Sequence, residues 1–358
     1  MGYLYLHIGT PKTGTTSIQY FLEDNQKIFL DKGYCFPDMG YEYFEIARKN
    51  RNAHFLFDCI YHTEDKQKYE KAKKERSEGI KKLIDYLDSY DNVILSDENV
   101  WIHFQKIENF WEELKDALEE HGHSIKVIVY LRRQDTYIRS YYTEMVKSLH
   151  QRRTFVDYIN TDTPALIGSD YLSTVDLIAS VIGQENVMVR PFERNQLLNG
   201  DLYADFLNCL GLSLTDEFNC TIPTRNETIA GEYIQVKQIL NSNPDFARRR
   251  SFFRPLAEAS MLHCEKKADY RRATLFPDNN PSQYLEQYEE GNKILAKKYL
   301  NREDGILFYE APKSEEGLEP YTTEELVLTC GDLILELKRE LDEAREEIEK
   351  LKKMHSSP

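Results

Sequence analysis

The stretch LYLHIGTPKTGTTSIQYFL, at residues 4–22, constrains the fold of this chain more than any other part. An apolar, β-rich run ends at Ile8, Gly9 and Gly14 interrupt it, and apolar residues return at helical spacing over Thr15–Leu22. This pattern predicts a strand, a tight loop and a helix. The first amides of such a helix have no acceptor within it, and the helix dipole favours negative charge there. The stretch therefore predicts a site for an oxyanion.

The side chains of this loop indicate which anion it binds. Lys12 supplies a positive charge, and hydroxyl groups surround it on Thr13, Thr15, Thr16 and Ser17. A nucleotide kinase loop reads GxxxxGK[ST], with lysine directly after the second glycine. Here Thr15 follows Gly14 and the lysine precedes that glycine by two positions. The order favours a phosphate or sulfate group held without the kinase signature, and the alternative is a turn with a purely structural role.

A second strand–loop–helix unit follows later in the chain. Residues 125–131 read IKVIVYL, a strand suited to the centre of a sheet, and Arg132 comes directly after it. Arginine at the end of a central strand suits bidentate phosphate binding. The alternative for Arg132 is a surface salt bridge of little energetic value.

The order PKTGTTS resembles the 5′-phosphosulfate loop of sulfotransferases that use 3′-phosphoadenosine 5′-phosphosulfate (PAPS), and LRRQDTYIRSYY resembles their 3′-phosphate motif. The resemblance, to bacterial carbohydrate sulfotransferase-like proteins, covers roughly residues 3 to 310. It implies that Lys12 neutralises the bridging oxygen as the bisphosphate product (PAP) departs, and that Arg132 and Ser140 hold the 3′-phosphate. It also implies a 5′-phosphate site made by Thr13, Gly14, Thr15, Thr16 and Ser17. No metal is implied. The sequence departs from the family pattern at Arg133 and Gln134, where Asn or Asp and then Pro are common.

The acceptor must lose a proton, so a base is expected near the site. Glu98 is the first candidate because it follows the strand Asn92–Ser96, and ligands bind beyond the carboxyl ends of parallel strands. His54 is the second candidate and Asp97 the third. Alternatively, Glu98 caps the next helix and His54 is structural.

The expected architecture is α/β: a three-layer α/β/α P-loop-type fold with a central parallel sheet, a helical C-terminal part and a terminal coiled-coil helix. The expected domains are a sulfotransferase domain (1–309), an acidic linker (310–321) and the terminal helix (322–354). Apolar residues recur there at alternating spacings of 4 and 3, at Cys330, Ile334, Leu337, Leu341, Ala344, Ile348 and Leu351. This heptad pattern predicts a homo-oligomer formed through a coiled coil. The alternative is a helix that packs along its own domain.

Composition excludes several classes of function. The net charge of −15 over 358 residues argues against a general nucleic-acid surface. No apolar run approaches a membrane span, and the N-terminus lacks the pattern of a secretory signal, which predicts a cytoplasmic protein. The scattered cysteines have no metal-binding spacing. Basic residues clustered between Arg248 and Arg272 are placed where they could close over a ligand.

The sequence therefore predicts an enzyme that transfers a sulfuryl group from PAPS to a hydroxyl or amine. The expected acceptor is a glycan in preference to a small molecule, because of the family resemblance and of aromatic residues over 41–61 that could stack on sugars. Two alternatives stay open. One is an ATP-dependent kinase, which would need the GK[ST] loop and a Mg²⁺-binding aspartate. The other is a non-catalytic nucleotide-binding scaffold.

Overall fold

The computed structural model describes residues 1–43, 46–47, 50–148, 151–161, 168–221, 229–247, 250–263 and 270–355. Of the basic cluster, Arg248, Arg249, Lys266 and Lys267 lie outside these ranges. The chain divides into two compact units. The first comprises Met1–Tyr137, Pro164–Pro223 and Leu285–Ala311, and the second comprises Ile138–Thr163, Thr224–Tyr284 and Pro312–Pro358.

The first unit is built on a parallel five-stranded sheet, in the order β2-β5-β1-β6-β7. Its strands are β1 (Tyr3–His7), β2 (Tyr34–Cys35), β5 (Asn92–Ser96), β6 (Ser124–Leu131) and β7 (Val187–Pro191), and a separate antiparallel pair consists of β3 (Glu42–Tyr43) and β4 (Ile46–Ala47). β1 is central, with His7 opposite Ser96 on one side and Ile128 on the other.

The helices are α1 (Thr15–Asp24), α2 (Gln26–Asp31), α3 (Lys66–Ser89), α4 (Asn99–His103), α5 (Phe110–Glu119), α6 (Gln134–Ser148), α7 (Phe155–Ile159), α8 (Tyr171–Ile182), α9 (Leu202–Cys209), α10 (Gly231–Leu240), α11 (Pro244–Ala247), α12 (Arg250–Leu262), α13 (Pro281–Glu286), α14 (Glu289–Leu300) and α15 (Thr323–His355). Single 3₁₀ turns lie at His54–Leu56, Asp58–His62, Phe104–Lys106, Gln184–Asn186, Leu198–Gly200, Arg271–Thr274 and Pro277–Asn279.

Apolar residues cover both faces of the sheet, as its nearly continuous hydrophobic strands require. Leu4 and Leu6 of β1 pack into a core with α3, α5 and α8. Tyr5, which points to the opposite face, packs into a second core with α1, α2 and α9. The predicted mixed α/β architecture with a central parallel sheet flanked by helices is confirmed.

Two helical patterns of the sequence have different bounds in the structure. Apolar spacing over 107–120 predicts a helix from Ile107, but α5 begins only at Phe110, after a 3₁₀ turn over Phe104–Lys106. The pattern over 154–182 predicts helix, and the structure has α7 and α8 there, with residues 162–167 outside the described ranges. No helix in the described part of the chain is both long and apolar enough to cross a bilayer.

The second unit is helical, and α15 packs against α10 and α12. The inward face of α15 carries Thr329, Leu333 and Glu336, which are all buried. The predicted linker at 310–321 forms neither helix nor strand, yet its Glu315 is fully buried and accepts hydrogen bonds from Arg139 and from the Phe276 amide. The domain boundaries at 310 and 322 stay a prediction.

Candidate anion-binding site

Three neighbouring strands of the sheet end at one edge of the first unit. β1 lies between β5 and β6, and the chain crosses from one side of β1 to the other between these two strands. Such a switch of direction leaves a crevice beyond the carboxyl ends of the strands. The loops that follow β1, β5 and β6 carry Lys12, Glu98 and Arg132, so the topology brings the predicted site residues to this edge.

The loop after β1 leaves the sheet gradually and then turns sharply. The Ile8 amide donates to the Ile128 carbonyl at 3.0 Å, and the Thr10 amide donates to the Tyr130 carbonyl at 2.9 Å. Lys12 and Gly14 then adopt positive φ values of 70° and 76°. Because Gly14 is the N-cap and provides no side-chain acceptor, the first-turn amides of α1 are not capped by it. A helix start of this kind is suited to an anion.

The hydroxyl groups of the loop have different surroundings. Thr13 Oγ1 donates to the Thr10 carbonyl at 2.6 Å, and Ser17 is hydrogen-bonded to the side chain of Tyr203. Thr16 is exposed. Thr15 Oγ1 is buried and, among the described residues, has no hydrogen-bond partner. An unpaired buried hydroxyl is costly, so Thr15 is the side chain of the loop best suited to a bound group.

Arg132 ties the end of β6 to this loop. Its Nη1 donates to the Lys12 carbonyl at 3.0 Å, and its Nε donates to Thr136 Oγ1 at 3.3 Å. The lysine and the arginine of the two predicted motifs therefore come together in one unit. Ser140 lies on α6 in the second unit, and its predicted role with Arg132 stays a prediction.

Arg133, where the sequence departs from the family pattern, has a structural role. It forms a bidentate ion pair with Asp135, with Nε–Oδ1 and Nη2–Oδ2 distances of 2.7 and 3.0 Å, and donates to the Glu310 carbonyl. Gln134 exchanges hydrogen bonds with Asn292. Arg133 and Gln134 therefore both fix the start of α6.

Glu98 is held at the end of β5 with its carboxylate partly open, the side chain being 17% exposed. Gln19 Nε2 donates to Glu98 Oε2 at 3.1 Å, and Arg51 Nη2 lies 3.7 Å from Oε1. Glu98 occupies the N-cap position of α4, but its side chain makes no capping hydrogen bond there. The Asn99 amide instead donates to Asp97 Oδ1 at 2.9 Å. The carboxylate of Glu98 is thus oriented without being used as a cap.

Asp97 is fully buried and pairs with Arg51 through two hydrogen bonds, Nε–Oδ2 at 3.1 Å and Nη2–Oδ1 at 2.5 Å. Burial raises the pKa of the Asp97 carboxyl, and the Arg51 guanidinium opposes that rise. Since both carboxylate oxygens are occupied, Asp97 is a poorer base candidate than Glu98. Its contacts fix Arg51 beside Glu98.

A chain of buried polar groups runs from Glu98 to the floor of the loop. Gln19 Nε2 lies 3.4 Å from Ser96 Oγ, which lies 2.9 Å from His7 Nδ1. Burial lowers the pKa of His7 from 6.5 to about 4, although the negative charge of Glu98 acts to raise it. The ring is therefore neutral near pH 7. His7 Nε2 has no partner within the described ranges.

Sequence reasoning missed His7, Gln19 and the pairing of Arg51 with Asp97. The sequence does carry a weak signal for His7 and Gln19. Each is a polar residue on the buried face of an otherwise apolar strand or helix. His54, the second base candidate, is 2% exposed, and its Nδ1 lies 2.7 Å from the Arg51 carbonyl oxygen. This burial favours Glu98 over His54 as the group that meets an acceptor.

No protein-family model matches the chain. An uncharacterized protein from Archaeoglobus fulgidus is 22% identical over 205 residues, a match that covers 56% of this chain and 52% of the relative. The match therefore spans about half the length of that protein. Among solved structures, a sulfotransferase from Alicyclobacillus acidocaldarius has 15% identity and a TM-score of 0.38, with 75% of this chain and 98% of that chain covered. Similarity at this level establishes neither a family nor a shared activity.

Proposed function

We propose that the protein is a sulfotransferase that moves a sulfuryl group from PAPS to a hydroxyl or amine of an acceptor. The observation that carries this proposal is the loop between β1 and α1. It combines an N-cap without a side-chain acceptor, a lysine at positive φ and the buried hydroxyl of Thr15, which has no hydrogen-bond partner among the residues that the structure describes. These features suit a tetrahedral anion, and the sequence order of the loop resembles the PAPS loop.

The nucleotide would be held at both phosphate groups. The amides of the first turn of α1 and the hydroxyls of Thr15 and Thr16 would bind the 5′-phosphosulfate. Within the described part of the chain, Arg132 donates two of its five N–H groups, to the Lys12 carbonyl and to the Thr136 hydroxyl. The other N–H groups would bind the 3′-phosphate. The family resemblance alone assigns Ser140 to the 3′-phosphate.

In the transfer step, the acceptor oxygen or nitrogen forms a bond to sulfur while the bond from sulfur to the bridging oxygen breaks. The electron pair of the broken bond stays on the 5′-phosphate oxygen of PAP, and the Lys12 ammonium stabilises that developing charge. The acceptor proton passes to the carboxylate of Glu98. Gln19 and Arg51 orient this carboxylate, which costs no reorganisation during the reaction.

A glycan is the proposed acceptor class. The support comes from the family resemblance and from the aromatic residues over 41–61. Of these, Tyr41 is partly exposed and could stack on a sugar, whereas Phe55, whose ring centroid lies 5.4 Å from that of Tyr41, is buried in the core.

We also propose that the chain self-associates through α15. The predicted heptad residues beyond Leu333 are exposed, Ile334 at 65% and Ile348 at 50% among them. A helix that leaves such a row of apolar side chains in water gains stability by pairing.

Calorimetry followed by a transfer screen tests the enzymatic proposal. PAP should bind and ATP–Mg²⁺ should bind much more weakly, and ³⁵S-labelled PAPS should transfer label to a member of a glycan panel. Preferential binding of ATP–Mg²⁺ would favour a kinase. Tight binding of PAP with no transfer to glycans, phenols or amines would favour the scaffold.

A further inference from the structure

The second half of α15 is largely exposed to solvent. After Glu336, every residue through Lys353 is exposed except Asp342, which is intermediate. A single-stranded helix of this length is only marginally stable in water, even with side-chain pairs such as Lys338–Asp342. The segment is nevertheless apolar along one side.

The heptad positions can be assigned from the spacing of these apolar residues. The a positions are Ile334, Leu341 and Ile348, and the d positions are Leu337, Ala344 and Leu351. β-Branched residues at a with leucine at d favour two-stranded coiled coils. Two of the three a positions carry isoleucine and two of the three d positions carry leucine, so these residues favour a dimer.

The flanking positions have a strict division of charge. The g positions after Leu333 are acidic, Glu340 and Glu347. The e positions that follow the d residues are all basic, and they are Lys338, Arg345 and Lys352. Within residues 270–355, Glu340 and Glu347 form no ion pair, so both carboxylates are available to a partner helix.

This division of charge determines the orientation of two identical helices. In a parallel pair, each g residue faces the e residue five positions later on the other helix. Glu340 then meets Arg345 of the second copy, and Glu347 meets Lys352, so every contact is attractive. In an antiparallel pair, g faces g and e faces e, which would place carboxylates against carboxylates and cations against cations.

We infer that α15 forms a parallel two-stranded coiled coil with a second copy of this chain, in register from Ile334 to Leu351. The inference rests on the proposed self-association and adds its stoichiometry and direction. It does not depend on the proposed enzymatic activity. The paired segment is about 26 Å long, at 1.5 Å per residue, and its register places Ala344 opposite Ala344 of the second copy.

Sedimentation equilibrium of the full chain tests the stoichiometry. The expected mass at high concentration is twice that of the 42.2 kDa chain. Ile348→Lys should abolish the dimer, whereas Glu346→Lys, which adds the same side chain on the outward f position, should leave it unchanged. A wild-type monomer at every concentration would overturn both the self-association and this inference, and a trimer or tetramer would overturn the stoichiometry.

Charge reversal tests the direction. Glu347→Lys and Lys352→Glu alone should each raise the dimer dissociation constant by about tenfold, because each replaces two attractive contacts by two repulsive ones. The double variant should recover the wild-type value, since the exchanged charges still face each other in a parallel pair. Single variants that dimerise as tightly as the wild type, or more tightly, would show an antiparallel pair, in which neither exchange breaks an attractive contact. That result would overturn the direction while leaving self-association intact.

Cross-linking gives an independent measurement of direction. Ala344→Cys should form an intermolecular disulfide on mild oxidation of the full chain, because d positions of a parallel pair lie side by side. Glu346→Cys is the matched control and should form much less of it. Equal cross-linking of both variants would contradict the assigned register.

Discussion

Replacing Gly9 with alanine would place a methyl group against the hydroxyls of the anion loop. A Cβ atom at this position would lie 2.9 Å from Thr15 Oγ1 and 3.2 Å from Thr13 Oγ1. The Thr13 hydroxyl is already bonded to the Thr10 carbonyl, so Thr15 is the group that has to move. The substitution therefore tests whether Thr15 binds the nucleotide.

Two effects of the substitution can be separated by size. Gly9 has a φ of +29°, and an L side chain in a positive-φ conformation costs about 1 kcal/mol of folding free energy. Displacing Thr15 removes a hydrogen bond to a charged group, which is worth about 1.5–3 kcal/mol. We expect the second effect to appear as a loss of PAP affinity of roughly 10- to 100-fold.

Gly122→Ala is the matched control. Gly122 also has a positive φ, +75°, but an added Cβ would meet no atom within 4 Å. It precedes β6, at the opposite end of the sheet from the anion loop. It should lose about 1 kcal/mol of stability by urea unfolding and keep its PAP affinity.

The assay is calorimetric titration of PAP into both variants, with urea unfolding of each alongside. If Gly9→Ala is folded and binds PAP as tightly as Gly122→Ala, the buried hydroxyl of Thr15 does not contact the nucleotide. The loop would then have to act through its amides and Lys12 alone.

Three further predictions concern the same unit. Glu98→Gln should keep PAPS affinity and lower turnover by about 10²-fold or more in the transfer assay; unchanged turnover would move the base to His54. Arg132→Ala should weaken the binding of PAP by roughly 10- to 100-fold. It should weaken the binding of adenosine 5′-phosphosulfate, which lacks the 3′-phosphate, much less. Equal losses of affinity in titrations of both ligands would exclude a 3′-phosphate contact. Burial lowers the pKa of His7 from 6.5 to about 4. The unfolded chain therefore binds a proton at His7 below pH 6.5, whereas the native chain binds it only below about pH 4. Stability should therefore fall by up to about 3 kcal/mol as pH drops through this window, and His7→Asn should reduce the fall measured by urea unfolding; an unchanged pH dependence would assign it to other groups.

The strand, loop and helix at 4–22 could be predicted because every signal there is local. Gly9 and Gly14 break the apolar pattern within a few residues, and both adopt positive φ. The position of Glu98 just beyond β5 could be predicted because it directly follows a recognisable strand, and parallel strands end at a common edge.

The network around Glu98 could not be predicted in the same way, because it depends on the order and register of the strands. Arg51 and Asp97 are 46 positions apart, and His7 meets Ser96 only because β1 pairs with β5. A polar residue in a buried strand gives no indication of its partner until that pairing is known.

The heptad spacing predicts the terminal helix, but it does not indicate which face of α15 packs against its own unit. That face includes Thr329 and Glu336, polar residues that a hydrophobic pattern assigns to solvent. Glu336 is satisfied by an ion pair with Arg339, which hydropathy alone does not reveal.

Titration of PAP into the wild type and Lys12→Ala tests the central claim most directly. The wild type should bind PAP, and Lys12→Ala should bind it at least about tenfold more weakly, because an ammonium group beside the 5′-phosphate is lost. No binding of PAP to the wild type, or equal binding to both proteins, would contradict the claim that this loop binds the phosphate groups of PAPS and PAP.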